Sequence, residues 1–264
     1  MFAGEMRKTY ALSLIQKFPD LPKGRPFPRI SEADIITGLH DRVVDPAKLN
    51  QGFSGLCVTA AFFYCVLNYK PELYTQYVID LFTTGKARLG EMKVEPSAGC
   101  RIYQPPPDKI AAVDWVALAS LRDSDNLVLD LSSVDEFWAP STQSGGLAKW
   151  FRGIGYRDVR DDSNLYFCKG RKEIAAIDRD MRLNRDVCLF INSNMLDDST
   201  NRLKSTFVDH CVVLDEAPDI KGDQISLSVY TWGTIQRIPT VGTLSLDEFS
   251  RNFYGYVSGA ATFN

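Results

Sequence analysis

The stretch Gln51-Gly52-Phe53-Ser54-Gly55-Leu56-Cys57-Val58-Thr59-Ala60-Ala61-Phe62-Phe63-Tyr64-Cys65 changes character at its middle. Up to Gly55 it reads as a turn, with two glycines that let the backbone bend tightly and approach other groups closely. From Leu56 it is apolar almost all round at helical spacing, which predicts a buried helix. A cysteine at the start of such a helix is chemically distinctive. A thiol becomes a good nucleophile only as the thiolate, and the unsatisfied N–H groups and macrodipole of a helix N-terminus favour that form. The side-chain amide of Gln51, six positions upstream, can swing back to the same point. With the Cys57 N–H it would make a two-donor oxyanion hole.

Outward from this stretch, the first part of the chain reads as helices. Residues 1–30 read as an arm or linker, rich in proline towards their end. Ser31 looks like the N-cap of a helix reaching about Val44. Pro71 opens a further helix that Gly85 closes. Lys86–Pro96 reads as a strand or hairpin, Cys100–Pro107 as a loop and Lys109–Leu121 as a helix. Further helices are expected over Thr142–Ile154, Lys172–Leu183 and Asp247–Asn252. The period then favours strands at Asp186–Asn192, Thr206–Leu214, Gln224–Trp232 and Tyr254–Ala260. Helices first and an antiparallel sheet last make an α+β arrangement. Residues 31–264 are read as one catalytic domain, a helical lobe of about 31–140 followed by a sheet lobe of about 141–264.

Composition narrows the function. The chain has 264 residues, 45% hydrophobic and 24% charged, with a net charge of −3. That suits a globular enzyme and gives no basic surplus for nucleic acid. No run approaches the roughly 18 apolar residues of a membrane span. The N-terminus, interrupted by Arg7, Lys8 and Lys17, is not a Sec signal. The expectation is cytosolic synthesis, with export by a machine that reads no cleavable signal left open. The six cysteines form no CxxC pair, so no zinc ribbon, metal or cofactor is expected.

His210 lies inside a strand pattern between Asp209 and Cys211, where its ring could meet a thiolate at a helix tip. Here the residues resemble a known family. Gln51-Gly52-x-Ser54-Gly55-x-Cys57 resembles the papain motif QGxCGxC, with Ser54 at the first Cys of the motif. Tyr230-Thr231-Trp232-Gly233 resembles the papain-family NSWG, and the order Gln, Cys, His, WG is also the family's. His210 follows Cys57 by 153 residues, close to the roughly 130–150 usual in papain-type enzymes. The GGL–WF–GY segment from Gly145 and the DVCLFIN strand are similar to bacteriocin-processing peptidases. The segments Ile36–Gly52 and Ile79–Gly90 resemble papain-like toxin domains of bacterial secretion-system effectors, and the looser resemblance covers about 33–97 and 144–256. The resemblance implies a two-lobed papain-like fold, with the helical lobe carrying Cys57 and the sheet lobe carrying His210. It implies a cysteine protease in which Cys57 is nucleophile, His210 base and Gln51 oxyanion donor. Its substrate would be a protein or peptide, and its partners an immunity protein or a secretion machine.

Two departures from the family stand out. Val58 follows the cysteine where the family has Trp, and no Asn or Asp orients the histidine at the expected place. Thr231 Oγ1 is one candidate orienter, Asp215 another, and a Cys57–His210 dyad a third arrangement. Trp232 is either core or a shield over the histidine. The same site would also serve a deamidase, a transglutaminase or a peptidoglycan amidase, and a scaffold without catalysis would bind a partner instead. The remaining motifs read plainly. His40 reads as a helix-end or surface residue. The Asp161-Asp162 and Asp197-Asp198 pairs read as solvated turns. Ser54 lacks the second glycine of a nucleophile elbow, because position 56 is Leu.

Overall fold

The computed structural model describes residues 2–22, 24–52, 54–125, 133, 144–164, 166–196 and 207–261. The chain is α+β and divides into two compact units, Met1–Phe137 and Trp138–Asn264. The expected lobe boundary near 140 and the Asp197-Asp198 pair lie outside the described residues.

The first unit is mostly helical. Its elements are α1 (Phe2–Lys17), α2 (Glu32–Val44), α3 (Cys57–Tyr69), α4 (Pro71–Thr84), the hairpin β1 (Ala87–Leu89) and β2 (Met92–Val94), α5 (Ala98–Ile102) and α6 (Ala112–Asp114). From α6 the helix continues without a break through a π turn, Trp115–Ala119, into α7 (Ser120–Asp125). The Ser31 hydroxyl caps α2 by accepting from Asp34 N–H at 3.1 Å. Pro71 opens α4, and Gly85 ends it at φ +78°, a left-handed value that favours glycine. No residue of α3 is charged, and the helix is buried from Cys57 to Leu67. Phe63 of α3 meets both Tyr74 and Tyr77 of α4.

Residues 1–30, read from sequence as an arm, hold two different things. Their first half is helix α1, packed on α4 and α2 and tied by an Arg7–Glu72 ion pair of 2.8 Å. Their second half is the proline-rich stretch, with Phe18 and Phe27 buried against Phe82.

The second unit is built on an antiparallel sheet. Its elements are α8 (Ser144–Gly153), β3 (Arg157–Asp161), α9 (Arg171–Arg182), β4 (Arg185–Ile191), β5 (His210–Leu214), β6 (Asp219–Lys221), β7 (Gln224–Thr231), β8 (Thr234–Ile238), β9 (Leu244–Ser245), α10 (Leu246–Asn252) and β10 (Phe253–Ala260). The strand order is β3-β10-β4-β5-β7-β6, with β8 and β9 also paired to β7. Strand β7 holds β6 and β9 at its start and β5 and β8 towards its end, so the sheet curls around it. Ile174 and Ile177 of α9 and Phe249 of α10 pack with Leu189, Val212 and Val229 in the core.

The buried Asp180 at the end of α9 ties several elements of this unit together. It accepts from Arg160 at 2.6 Å and from the Ser258 hydroxyl at 2.6 Å, with Arg185 Nε 3.4 Å away. Among the described residues no helix is long and apolar enough to cross a membrane.

Candidate active site

The residues singled out by sequence form two groups, one in each unit. In the first unit the turn before Cys57 is fixed from below by a buried ion pair. Arg42 of α2 meets Asp114 of α6 in a fork, Nε to Oδ1 at 2.9 Å and Nη2 to Oδ2 at 2.6 Å. Burial pulls the Arg42 guanidinium down, but the Asp114 charge and hydrogen bonds override it and hold it above its ordinary range. The same Asp114 Oδ2 accepts the Asn50 N–H at 3.2 Å, and Asn50 Oδ1 accepts the Gly52 N–H at 2.8 Å. A side-chain network therefore runs from α2 and α6 into the turn.

The turn itself closes on Gln51 and Ser54. The Ser54 hydroxyl donates to the Gln51 carbonyl at 2.5 Å, and Gln51 Nε2 donates to the Ser54 carbonyl at 3.1 Å. One of the two Nε2 protons is thus spent on the turn. Gly52 sits at φ +59°, and a Cβ there would fall 1.6 Å from the Lys109 carbonyl oxygen. Only glycine allows this close approach. Cys57 follows as the first residue of α3, whose N-cap, Leu56, offers no side-chain cap. Its N–H is among the first four of the helix, which have no acceptor within it.

In the second unit His210 opens β5, opposite Ile191 of β4. Its neighbour Asp209 locks the approach, accepting the Ser193 N–H at 2.6 Å and the Ser193 hydroxyl at 2.7 Å. His210 Nε2 lies 2.6 Å from Thr231 Oγ1 at the end of β7. With Nε2–H donating to that hydroxyl, Nδ1 carries the lone pair. Trp232 stacks on the imidazole, ring centres 4.6 Å apart and planes 25° off parallel. Burial holds the His210 ring down at about 3, so it is neutral at physiological pH.

The position of Trp232 follows from the β7–β8 hairpin. Thr231 pairs with Thr234, leaving a two-residue loop of Trp232 and Gly233 at φ +46° and +76°. Two positive values mark the turn type that matches strand twist and that normally selects Asn-Gly. A tryptophan at the first position is strained, and 42% of it is exposed. Asp215 lies past the other end of β5, roughly 16 Å from His210 along the strand. There its N–H donates to the Ser228 carbonyl at 2.9 Å, and its carboxylate accepts from the Ser228 hydroxyl at 3.4 Å.

The structure thus brings Gln51 and Cys57 together on one turn, and His210, Thr231 and Trp232 together at one end of the sheet. It keeps Asp215 away from His210. Sequence reasoning passed over Asn50 and Asp114. The signal for Asp114 was present: an aspartate inside the apolar helical run Ala111–Ala119, where a lone charge demands a partner. Among the described residues no three His, Cys, Asp or Glu side chains gather as a metal site. Asp161 accepts from Ser163, and Asp162 pairs with Lys169 at 2.7 Å. Comparison with protein-family models, curated proteins and solved structures returns no match.

Proposed function

We propose that this chain is a cysteine hydrolase of papain-like fold, with Cys57 as nucleophile, His210 as base and Gln51 as oxyanion donor. One observation carries the reading. His210 has Nε2 committed to Thr231 and is roofed by Trp232, which leaves Nδ1 to take a proton. Under this reading Nδ1 removes the thiol proton and the Cys57 thiolate attacks a peptide carbonyl carbon. The Cys57 N–H and the second Nε2 proton of Gln51 hold the developing oxyanion. The intermediate then collapses, His210 protonates the departing amine, and water hydrolyses the thioester. Thr231 orients the imidazole in place of the family's Asn, and Trp232 shields that hydrogen bond from water.

The substrate is a protein or peptide, and the family resemblance extends the proposal to an exported bacterial toxin with a protein immunity partner. The deamidase, transglutaminase and peptidoglycan amidase alternatives share the acyl-thioenzyme. Profiling against casein, glutamine side chains and peptidoglycan separates them. A second reading, a partner-binding scaffold without catalysis, is favoured by the small exposure of Cys57 and His210, 4% and 3%.

The test is the pH profile of iodoacetamide alkylation, read on the Cys57 peptide by mass spectrometry. The hydrolase reading expects rapid labelling well below the free-thiol pKa of about 8.5, slowed at least tenfold at pH 6 in His210→Ala. Labelling that rises only near pH 8.5 and ignores the substitution would leave the scaffold.

A further inference from the structure

The peptide unit between Gln51 and Gly52 is held at both ends by side chains. Its N–H donates to Asn50 Oδ1 at 2.8 Å, and its carbonyl accepts the Ser54 hydroxyl at 2.5 Å. Asn50 is itself anchored. Its N–H donates to Asp114 Oδ2 at 3.2 Å, and the fork from Arg42 fixes that carboxylate. The bond from Asn50 reaches two residues on and closes an Asx turn, so it sets the backbone of the residue it encloses, Gln51. The side chain of Gln51, which is buried, is braced as well. Its Nε2 donates to the Ser54 carbonyl at 3.1 Å, and in a planar carboxamide one bonded N–H fixes the direction of the other.

We infer that Asn50 is a positioning residue for the oxyanion donor, acting through the backbone of Gln51 to aim the Gln51 amide. The inference rests on the hydrolase reading, which makes Gln51 that donor. Removing the Asn50 carboxamide leaves the Gly52 N–H without its acceptor and frees the Gln51–Gly52 peptide to rotate. Oxyanion stabilisation demands a donor within about 2.7–3.1 Å of the developing charge, and a misplacement of about 1 Å can cost about a hundredfold in rate. Such a role is confined to reactions that put charge on an oxygen. When the Cys57 thiolate attacks an ester carbonyl, the S–C bond forms and the C=O pair moves onto oxygen. The pair then returns and expels the alcohol as its anion. When the same thiolate displaces iodide from the saturated carbon of iodoacetamide, no oxyanion forms. Loss of Asn50 should therefore damage the first reaction and spare the second.

The experiment compares two probes of Cys57 in the full chain, acetylation by p-nitrophenyl acetate and alkylation by iodoacetamide. Both are quenched early and read on the Cys57 peptide by mass spectrometry. Gln51→Ala should lower the ratio of acetylation to alkylation about a hundredfold. Asn50→Ala should lower it at least tenfold and leave the pH profile of alkylation unchanged. Asn50→Ser, whose hydroxyl closes the same turn more weakly, should lower it only about threefold. In a Gln51→Ala background Asn50→Ala should lower the ratio no further, because it acts through that side chain. If circular dichroism shows that Asn50→Ala does not fold, Asn50→Ser carries the test, and an unchanged ratio there overturns the inference. A ratio that falls in Gln51→Ala but not in Asn50→Ala, or that Asn50→Ala lowers equally in both backgrounds, overturns this inference and leaves the hydrolase reading intact. A ratio that Gln51→Ala does not move overturns the inference together with the oxyanion role of Gln51. A native Cys57 acetylated no faster than in the denatured chain, and alkylated only near pH 8.5, overturns the hydrolase reading as well.

Discussion

Around Cys57 side chains hold the backbone, whereas around His210 the backbone places the side chains. Beside one backbone bond, Ser54 N–H to the Gln51 carbonyl at 3.3 Å, the Gln51 turn is held by the side chains of Asp114, Asn50, Gln51 and Ser54. His210, Thr231 and Trp232 instead meet because β5, β7 and the β7–β8 hairpin fix their register. The first construction concentrates its energy in a few buried polar contacts, and the second spreads it over a sheet. Single substitutions should therefore damage the two halves very unequally.

The largest effect is expected for Asp114→Ala. It leaves Arg42 buried without its carboxylate and should cost about 3–5 kcal/mol. Denaturant unfolding followed by helix signal measures it, and the double variant Arg42→Met with Asp114→Leu should recover most of the loss. A loss under about 1 kcal/mol in Asp114→Ala would mean that the turn is not held from below. Gly52→Ala comes next, at about 3 kcal/mol, from the left-handed backbone and the clash with Lys109. It should also change Cys57 labelling.

On the sheet side Thr231→Val should cost about 2 kcal/mol by leaving the His210 N–H without its acceptor. Asp215→Asn should stay within about 0.5 kcal/mol. If Asp215→Asn proves the more damaging of the two, Thr231 is not the orienter. Trp232→Asn should stay within about 1 kcal/mol, because relief of backbone strain offsets lost stacking. NMR titration of His210 in that variant should show its pKa rising as water reaches the ring.

The smallest effect is a cancellation. His210 is depressed to about 3, so its contribution to stability is present above its unfolded value of 6.5 and fades as pH falls. Burial raises Asp186 to about 7, against a hydrogen bond from Tyr156. Its contribution is present below 3.8 and fades as pH rises. Between about pH 4 and 6.5 the two slopes oppose, and stability from this pair should be flat. Asp186→Asn should expose the His210 slope, about 1.4 kcal/mol gained per pH unit.

Sequence legibility followed the same division. The helix that starts at Cys57 and the strands near Asp186 and Gln224 carry their own periodicity, and the structure has them at those positions. Strand β3 does not read as a strand, because it lies at the sheet edge with both faces in solvent and shows the charged run Arg157–Asp161. Helix α1 has no clear apolar stripe, so its helicity comes from packing on α4 and α2. Thr231 and Asp215 were equal candidates as orienter, since sequence does not show that five residues of strand carry Asp215 away from His210. The Arg42–Asp114 pair was invisible for a related reason, as its partners stand 72 positions apart.

The π turn at Trp115–Ala119 gives its helix one spare residue. Its wide geometry is accommodated by Tyr77, whose hydroxyl donates to the Ala117 carbonyl at 3.0 Å. Deleting one residue of the turn would leave a uniform and equally apolar α-helix with everything beyond it in unchanged phase, because the π turn already carries that residue as a surplus. The same deletion in a regular stretch of helix would rotate everything beyond it by about 100°. A lineage could therefore lose the π turn through a single-codon deletion and keep the faces on either side of it.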